Sequence, residues 1–303
     1  MDKTHIPAYV LEPVKRALAK PAFAARAPMP GFIKDIEAGR VELPMIQRIT
    51  HRLIAAMCER EVDYRKLSKA VARDPVLSAK VLRLANSAVF AGPRSTASID
   101  TAVRLIGAEV LNKVIASSID ATDLTGITGI DLRVFWHDAL VTAVASNKLA
   151  LLVGTDPEQA YLCGLMHTIG HLVLCRCYPD IADAMFSGFK MMRGSDLAAV
   201  EKDAFGSDHA TAGAFWLESL DFPDEIVEVV RMQLKTPEAE LSPLALALRS
   251  GRQLATAVAR KHSAMSALAA LHVDLRKRFT TEDGEPDSGF VKFYTALTEI
   301  KAK

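Results

Sequence analysis

Apolar residues recur along most of this chain with the 3.6-residue period of a helix, and short polar stretches separate one such run from the next. Met45, Ile46, Ile49, Leu53, Ile54 and Met57 share one helix face. The following run opens at Asp63 and closes at Asp74-Pro75, a pair that starts another helix. There the Asp side chain accepts a free N–H of the first turn, and the N–H that proline lacks is not needed. Val76, Leu77, Val81, Leu82 and Ala85 mark the buried face of that helix. Ser98 caps the next, with Ile99, Ala102, Val103 and Ile106 inside. Gly107 ends it, and Val110, Leu111, Val114, Ile115 and Ile119 carry its successor. Capped starts recur at Asp156-Pro157-Glu158, Ser195-Asp196, Ser207-Asp208, Phe222-Pro223-Asp224-Glu225 and Ser242-Pro243, each before an apolar helical pattern. Alternating β-branched runs joined by tight turns are not seen, nor is a fixed-period repeat. The chain reads as all-α.

At 303 residues it is about twice the usual length of one domain, so two helical lobes are expected. The uneven stretch Thr122 to Gly129, with Gly126 and Gly129, is the best boundary between them. Near the end, Thr280 to Ser288 reads as an exposed loop before a last amphipathic helix around Phe290, Phe293, Tyr294 and Leu297.

Charge removes one class of partner. Lys+Arg number 37 against 36 Asp+Glu, a net +1, with no basic footprint for nucleic acid. The clusters Arg260-Lys261-His262 and Arg276-Lys277-Arg278 lack interleaved aromatics and read as solvated helix faces, while Trp136 and Trp216 read as core. No apolar run approaches the roughly 18 residues of a membrane span, and the first residues lack a secretory pattern. No membrane partner and a cytoplasmic location are expected. The cysteines Cys58, Cys163, Cys175 and Cys177 contain no C-x-x-C pair, so reduced, packed thiols are expected.

Chemical groups cluster in one segment, Gly164-Leu165-Met166-His167-Thr168-Ile169-Gly170-His171, with His137 and His209 at a distance. His167 and His171, at i and i+4, have the spacing of a zincin pair on one helix face. That reading lacks its base: a Glu must follow the first His to activate the metal-bound water, and Thr168 cannot accept that proton.

Six blocks, taken in order, support a different reading. They are Leu43-Pro44; Asp74-Pro75-Val76-Leu77-Ser78 leading to Leu82-Arg83-Leu84-Ala85-Asn86-Ser87; Ser98-Ile99 with Ala102 and Leu105-Ile106-Gly107; Phe135-Trp136-His137; Gly164 to Gly170; and Phe205-Gly206-Ser207-Asp208-His209-Ala210. Together they resemble the HDOD family of bacterial, all-helical signalling modules, which is related to the HD-type metal-dependent phosphohydrolases. The resemblance implies an HDOD domain over 36–237, with an N-terminal helical lobe at 36–121 and an HD-phosphohydrolase-like lobe at 131–237. It leaves a helical extension at 1–35 and another at 238–303. In catalytic HD enzymes an early His, a His-Asp pair, further His residues and a late Asp hold one or two divalent metals. By that pattern His137 matches the early His and His167 the His of the pair. Thr168 stands where the Asp belongs, and His209 survives. The later His-His pair reads Met232-Gln233, and no carboxylate lies around Leu248-Arg249-Ser250-Gly251-Arg252. A neutral hydroxyl does little to offset the charge of a hard dication.

His137, His167, Thr168 and His209 are therefore read as a vestigial metal site, open to use as a ligand pocket, with no cofactor expected. A lone His on an apolar helix is more often a hydrogen-bonded core residue than a ligand. Asp138, although it follows His137, is read as a solvated helix residue. Asn86-Ser87 should terminate a helix through side-chain to backbone bonds. Gly164 and Gly170 should allow close helix packing that offsets their poor helix propensity. The expected function is a non-catalytic regulatory module that binds a protein partner in trans or a small ligand. The competing expectation is an HD phosphohydrolase acting on a nucleotide or cyclic dinucleotide, with a carboxylate recruited from elsewhere, such as Asp208 beside His209.

Overall fold

The computed structural model describes residues 31–57, 61–87, 89–90, 96–119, 127, 130–186, 195–235 and 241–300. Among these the regular structure is entirely helical apart from one isolated bridge, Thr280 with Pro286. In chain order the helices are α1 (Gly31–Glu37), α2 (Gln47–Met57), α3 (Tyr64–Val71), α4 (Pro75–Ala85), α5 (Ile99–Ile119), α6 (Leu132–Val153), α7 (Pro157–Met166) and α8 (Ile169–Cys177). There follow α9 (Pro179–Phe186), α10 (Ser195–Phe205), α11 (His209–Glu218), α12 (Asp224–Met232), α13 (Pro243–Ala259), α14 (Ala264–Ala269), α15 (Val273–Arg278) and α16 (Ser288–Thr298). Among the described residues no helix is long and apolar enough to cross a membrane. Apart from Ile127, the expected lobe boundary at Thr122 to Gly129 lies outside what is described, as do the cap side chains of Ser195-Asp196, Cys58 and nearly all of the 1–35 extension.

Packing divides the chain into two compact units that cut across the expected segments. One joins Met1–Asp131 with Thr168–Leu234; the other joins Leu132–His167 with Lys235–Lys303. The segment 131–237, expected as one lobe, is thus shared between the units. The C-terminal helices belong to the same compact body as α6 and α7.

In the first unit, α2 to α5 form one helical group. Asp63 caps α3 by accepting N–H bonds from Arg65 and Lys66. Asp74 has two jobs: Oδ1 accepts the Leu77 N–H that caps α4, and Oδ2 accepts the N–H of Ile46 ahead of α2. It is fully buried, and burial pushes its carboxyl up to about 6 although both backbone donors favour the ionised form. Val76, Leu77, Val81, Leu82 and Ala85 are buried, as the periodicity predicts. Asn86 brackets Thr96 with two bonds, its Nδ2–H donating to the Thr96 carbonyl and its Oδ1 accepting the Thr96 N–H. Ser87 Oγ donates to the Leu84 carbonyl. The Gly107 break is real: α5 leaves helical geometry there at φ 75°, a region open to glycine. Elsewhere in this unit α8 packs on α11, and α1 lies against both.

In the second unit, Asp156 caps α7 through the N–H groups of Glu158 and Gln159, and Ser242 caps α13 through that of Ala245. A Cβ on Gly164 would stand 2.5 Å from Ala143 Cα, so α6 and α7 meet backbone to backbone, as expected of this glycine. Val141, Ala145 and Leu149 of α6 share a core with Leu254, Leu268, Leu275, Phe290 and Leu297. Asp287 caps α16 through the Phe290 N–H, and Tyr294 Oη donates to the His262 carbonyl. Trp216 is buried in the first unit, whereas Trp136 is half-buried, edge-on to Phe135.

Candidate functional site

The four candidate positions fall in both units: His137 and His167 in the second, Thr168 and His209 in the first. His137, on α6, places Nε2 2.7 Å from the carbonyl of Ile300, just beyond α16. A carbonyl only accepts, so Nε2 carries the proton and is committed as a donor. His137 thus ties the residue just beyond α16 to α6, from a half-buried position.

His167 follows α7. Its Nδ1 lies 2.7 Å from the Gly164 carbonyl and must likewise be protonated. Nε2 faces Asp138 Oδ2 at 3.9 Å, too long for a direct hydrogen bond. This corrects the reading of Asp138 as a solvated residue: its side chain is only 20% exposed and turned toward His167. An Asp four residues ahead of Thr142, on the face that buries Ala145, was a signal in the pattern.

Thr168 begins α8 without a side-chain capping bond. Its buried Oγ1 has no hydrogen-bond partner. The helix breaks at His167-Thr168, with α7 ending at Met166 and α8 starting at Ile169. His167 and His171 therefore do not share one helix face, which removes the structural premise of the zincin reading.

The dication implied by the HD pattern finds a poor donor set at these positions. Thr168, which the resemblance matches to the anionic ligand, offers a neutral hydroxyl. Asp208, the carboxylate named as a candidate for recruitment, has structural partners here. It caps α11 by accepting the Thr211 N–H at 2.8 Å, and its Oδ2 lies 3.4 Å from Lys202 Nζ.

The carboxylate that faces His209 is Glu201, on α10. Glu201 is fully buried, and its Oε2 accepts both the backbone N–H of His209 at 2.9 Å and the ring Nδ1–H at 2.6 Å. Its Oε1 stands 2.7 Å from His171 Nδ1. That contact lacks hydrogen-bond alignment, and Oε1 accepts no hydrogen bond. The rings of His171 and His209 lie with centroids 4.0 Å apart and planes 35° apart. Burial alone would raise the carboxyl of Glu201, but the imidazoles of His209 and His171 outweigh it and hold the group well below the usual carboxylate range. The cluster depends on Gly170. A Cβ there would stand 1.8 Å from the His209 carbonyl oxygen and 2.6 Å from Gly213 N, so α8 and α11 approach backbone to backbone. Glu201 was overlooked in the sequence although a signal existed. It shares the buried face of α10 with Leu197, Ala204 and Phe205, where an acid requires a partner.

Nearby, burial together with the charge of Glu201 pushes the Cys175 thiol far up, and burial pushes Cys177 up to about 12. Cys163, Cys175 and Cys177 are free thiols, as expected.

Comparison with known proteins agrees with the blocks read in the sequence. A curated Treponema pallidum protein described as uncharacterized is 24% identical over 190 residues, 61% of this chain and 36% of that protein. The chain thus spans about a third of that relative's length. Among solved structures, the MmoQ response regulator of Methylococcus capsulatus superposes with a TM-score of 0.63 at 20% identity, over 78% of this chain and 97% of the other. A virulence factor of Campylobacter jejuni superposes with a TM-score of 0.60 at 18% identity, over 88% of this chain and 99% of the other. At such identities these likenesses establish a shared helical fold. The HDOD domain model matches residues 43–236, more than half of the sequence, and the chain belongs to the HDOD family.

Proposed function

We propose that this protein is a non-catalytic regulatory module of bacterial signal transduction, which works by binding a protein partner in trans or a small ligand. The carrying observation is Thr168, a neutral alcohol with an unbonded Oγ1 where an HD enzyme places its metal-holding acid. Without that anion a dication there has little to offset its charge or to lower the pKa of a bound water. The similarity to a protein described as a response regulator supports a signalling context, and we place the module in the cytoplasm.

The test is turnover of nucleotides and cyclic dinucleotides by the purified chain in Mn²⁺ or Fe²⁺. The expected result is no hydrolysis above the metal-only background. Hydrolysis abolished by His167→Ala would overturn the proposal. A second reading, a weak phosphohydrolase, draws on one observation, the Asp138 carboxylate facing His167 Nε2. It requires hydrolysis that Asp138→Asn removes as well.

A further inference from the structure

We infer that His171, Glu201 and His209 form a binding site for a zinc-class transition-metal dication, using a carboxylate and an imidazole that the HD pattern does not supply. The three side chains come from α8, α10 and α11, and their ligating atoms lie within 4.8 Å of one another. Two imidazoles and one carboxylate are a known donor set for zinc, leaving a fourth position for water or another ligand. Hard cations such as Mg²⁺ prefer more oxygen donors than this cluster offers.

Three further features fit the assignment. Glu201 is fully buried, and its two oxygens stand 2.6 and 2.7 Å from the Nδ1 atoms of His209 and His171, so the three donors converge on one place. Its Oε1 stands 2.7 Å from His171 Nδ1 without hydrogen-bond alignment, a contact that an ion between the two atoms would replace. The scaffold is stiff, because the contact at Gly170 fixes the spacing of α8 and α11 and hence of the two rings.

The adjustment needed is small. Ligands about 2.0–2.1 Å from zinc at tetrahedral angles stand about 3.3 Å apart, whereas the N···O separations here are 2.6 and 2.7 Å. A shift well under an ångström per side chain opens each of these two separations, and the third, between the two imidazole nitrogens, lies within 4.8 Å. For ligation through Nδ1, the proton that His209 shares with Glu201 leaves to solvent as the ion takes its place. His171 is the outermost member, its side chain 12% exposed against 3% for His209 and 0% for Glu201, so the ion enters past His171.

The experiment titrates the chelator-stripped, full-length chain with Zn²⁺ by calorimetry and with Co²⁺ by visible absorption. Expected are one equivalent bound, a proton released, and a low-coordinate Co²⁺ spectrum with no thiolate charge-transfer band. His171→Ala should weaken binding by at least the ~10–100-fold that loss of a supporting residue already causes. His167→Ala should leave it intact. Glu201→Gln should also abolish binding; if that variant does not fold, His171→Ala alone decides. No saturable binding, unchanged affinity in His171→Ala, or loss in His167→Ala would each overturn the inference. None of these results depends on catalysis, so the regulatory proposal stands or falls separately.

Discussion

His209 gives both its backbone N–H and its ring Nδ1–H to a single oxygen of Glu201, and this doubly bonded carboxylate lies in a fully buried position. Removing one member of such a pair leaves the other charged or polar and unsolvated. His209→Ala is expected to destabilise the fold by about 3–5 kcal/mol, measured by denaturant unfolding. His171→Ala, at the partly exposed edge, should cost clearly less.

The same carboxylate gives a pH signature. Its folded pKa lies below the ordinary value of 4.5, so the unfolded state takes up protons first as pH falls. Its contribution to stability is present above that range and is lost as pH drops through and below it. Glu201→Gln, if folded, should flatten the acid limb of a plot of melting temperature against pH.

Asp74 acts in the opposite sense. Burial raises its carboxyl from 3.8 to about 6, so between those values the folded state holds the proton more tightly than the unfolded one. Its contribution is full below pH 3.8 and is lost as pH rises through about 6. At one pKa unit per ~1.4 kcal/mol the swing is about 3 kcal/mol. Asp74→Asn keeps a good capping side chain and should remove this slope. The difference between wild-type and variant melting temperatures across pH 4 to 7 checks it.

Gly170→Ala is expected to be among the most damaging single methyl additions in the chain. The new Cβ would meet the His209 carbonyl oxygen at 1.8 Å and Gly213 N at 2.6 Å, and both are backbone atoms that cannot rotate away. Overpacking of this kind costs about 3 kcal/mol or more. By parting α8 from α11 it should also separate His171 from Glu201, so any Zn²⁺ affinity of the folded fraction should fall with it.

Cys175 and Cys177 should prove unreactive while the fold is intact. Cys175 is buried and its thiol is pushed far up by burial, with the charge of Glu201 adding to the effect. Thiolate, not thiol, is the nucleophile. Alkylation followed by mass spectrometry should leave Cys175 unmodified in native buffer and label it fully in denaturant. Cys177, raised to about 12 and half-buried, should react slowly.

The amino-acid sequence by itself determined the helices and many of their starts. Asp74-Pro75, Asp156-Pro157 and Ser242-Pro243 cap as read, because a cap joins a side chain to a backbone N–H two or three residues away and the pattern is complete within one turn. It also determined the family, through ordered blocks along one stretch of chain. Tertiary structure alone decided what those residues touch. The turn of Asp138 toward His167, the hold of His137 on Ile300, 163 residues later, and the union of α6 with the C-terminal helices all depend on which helix faces meet in space. Glu201 shows the difference most directly. Periodicity placed an acid on a buried face, but the imidazoles that neutralise it come from two other helices, and no local spacing encodes that convergence.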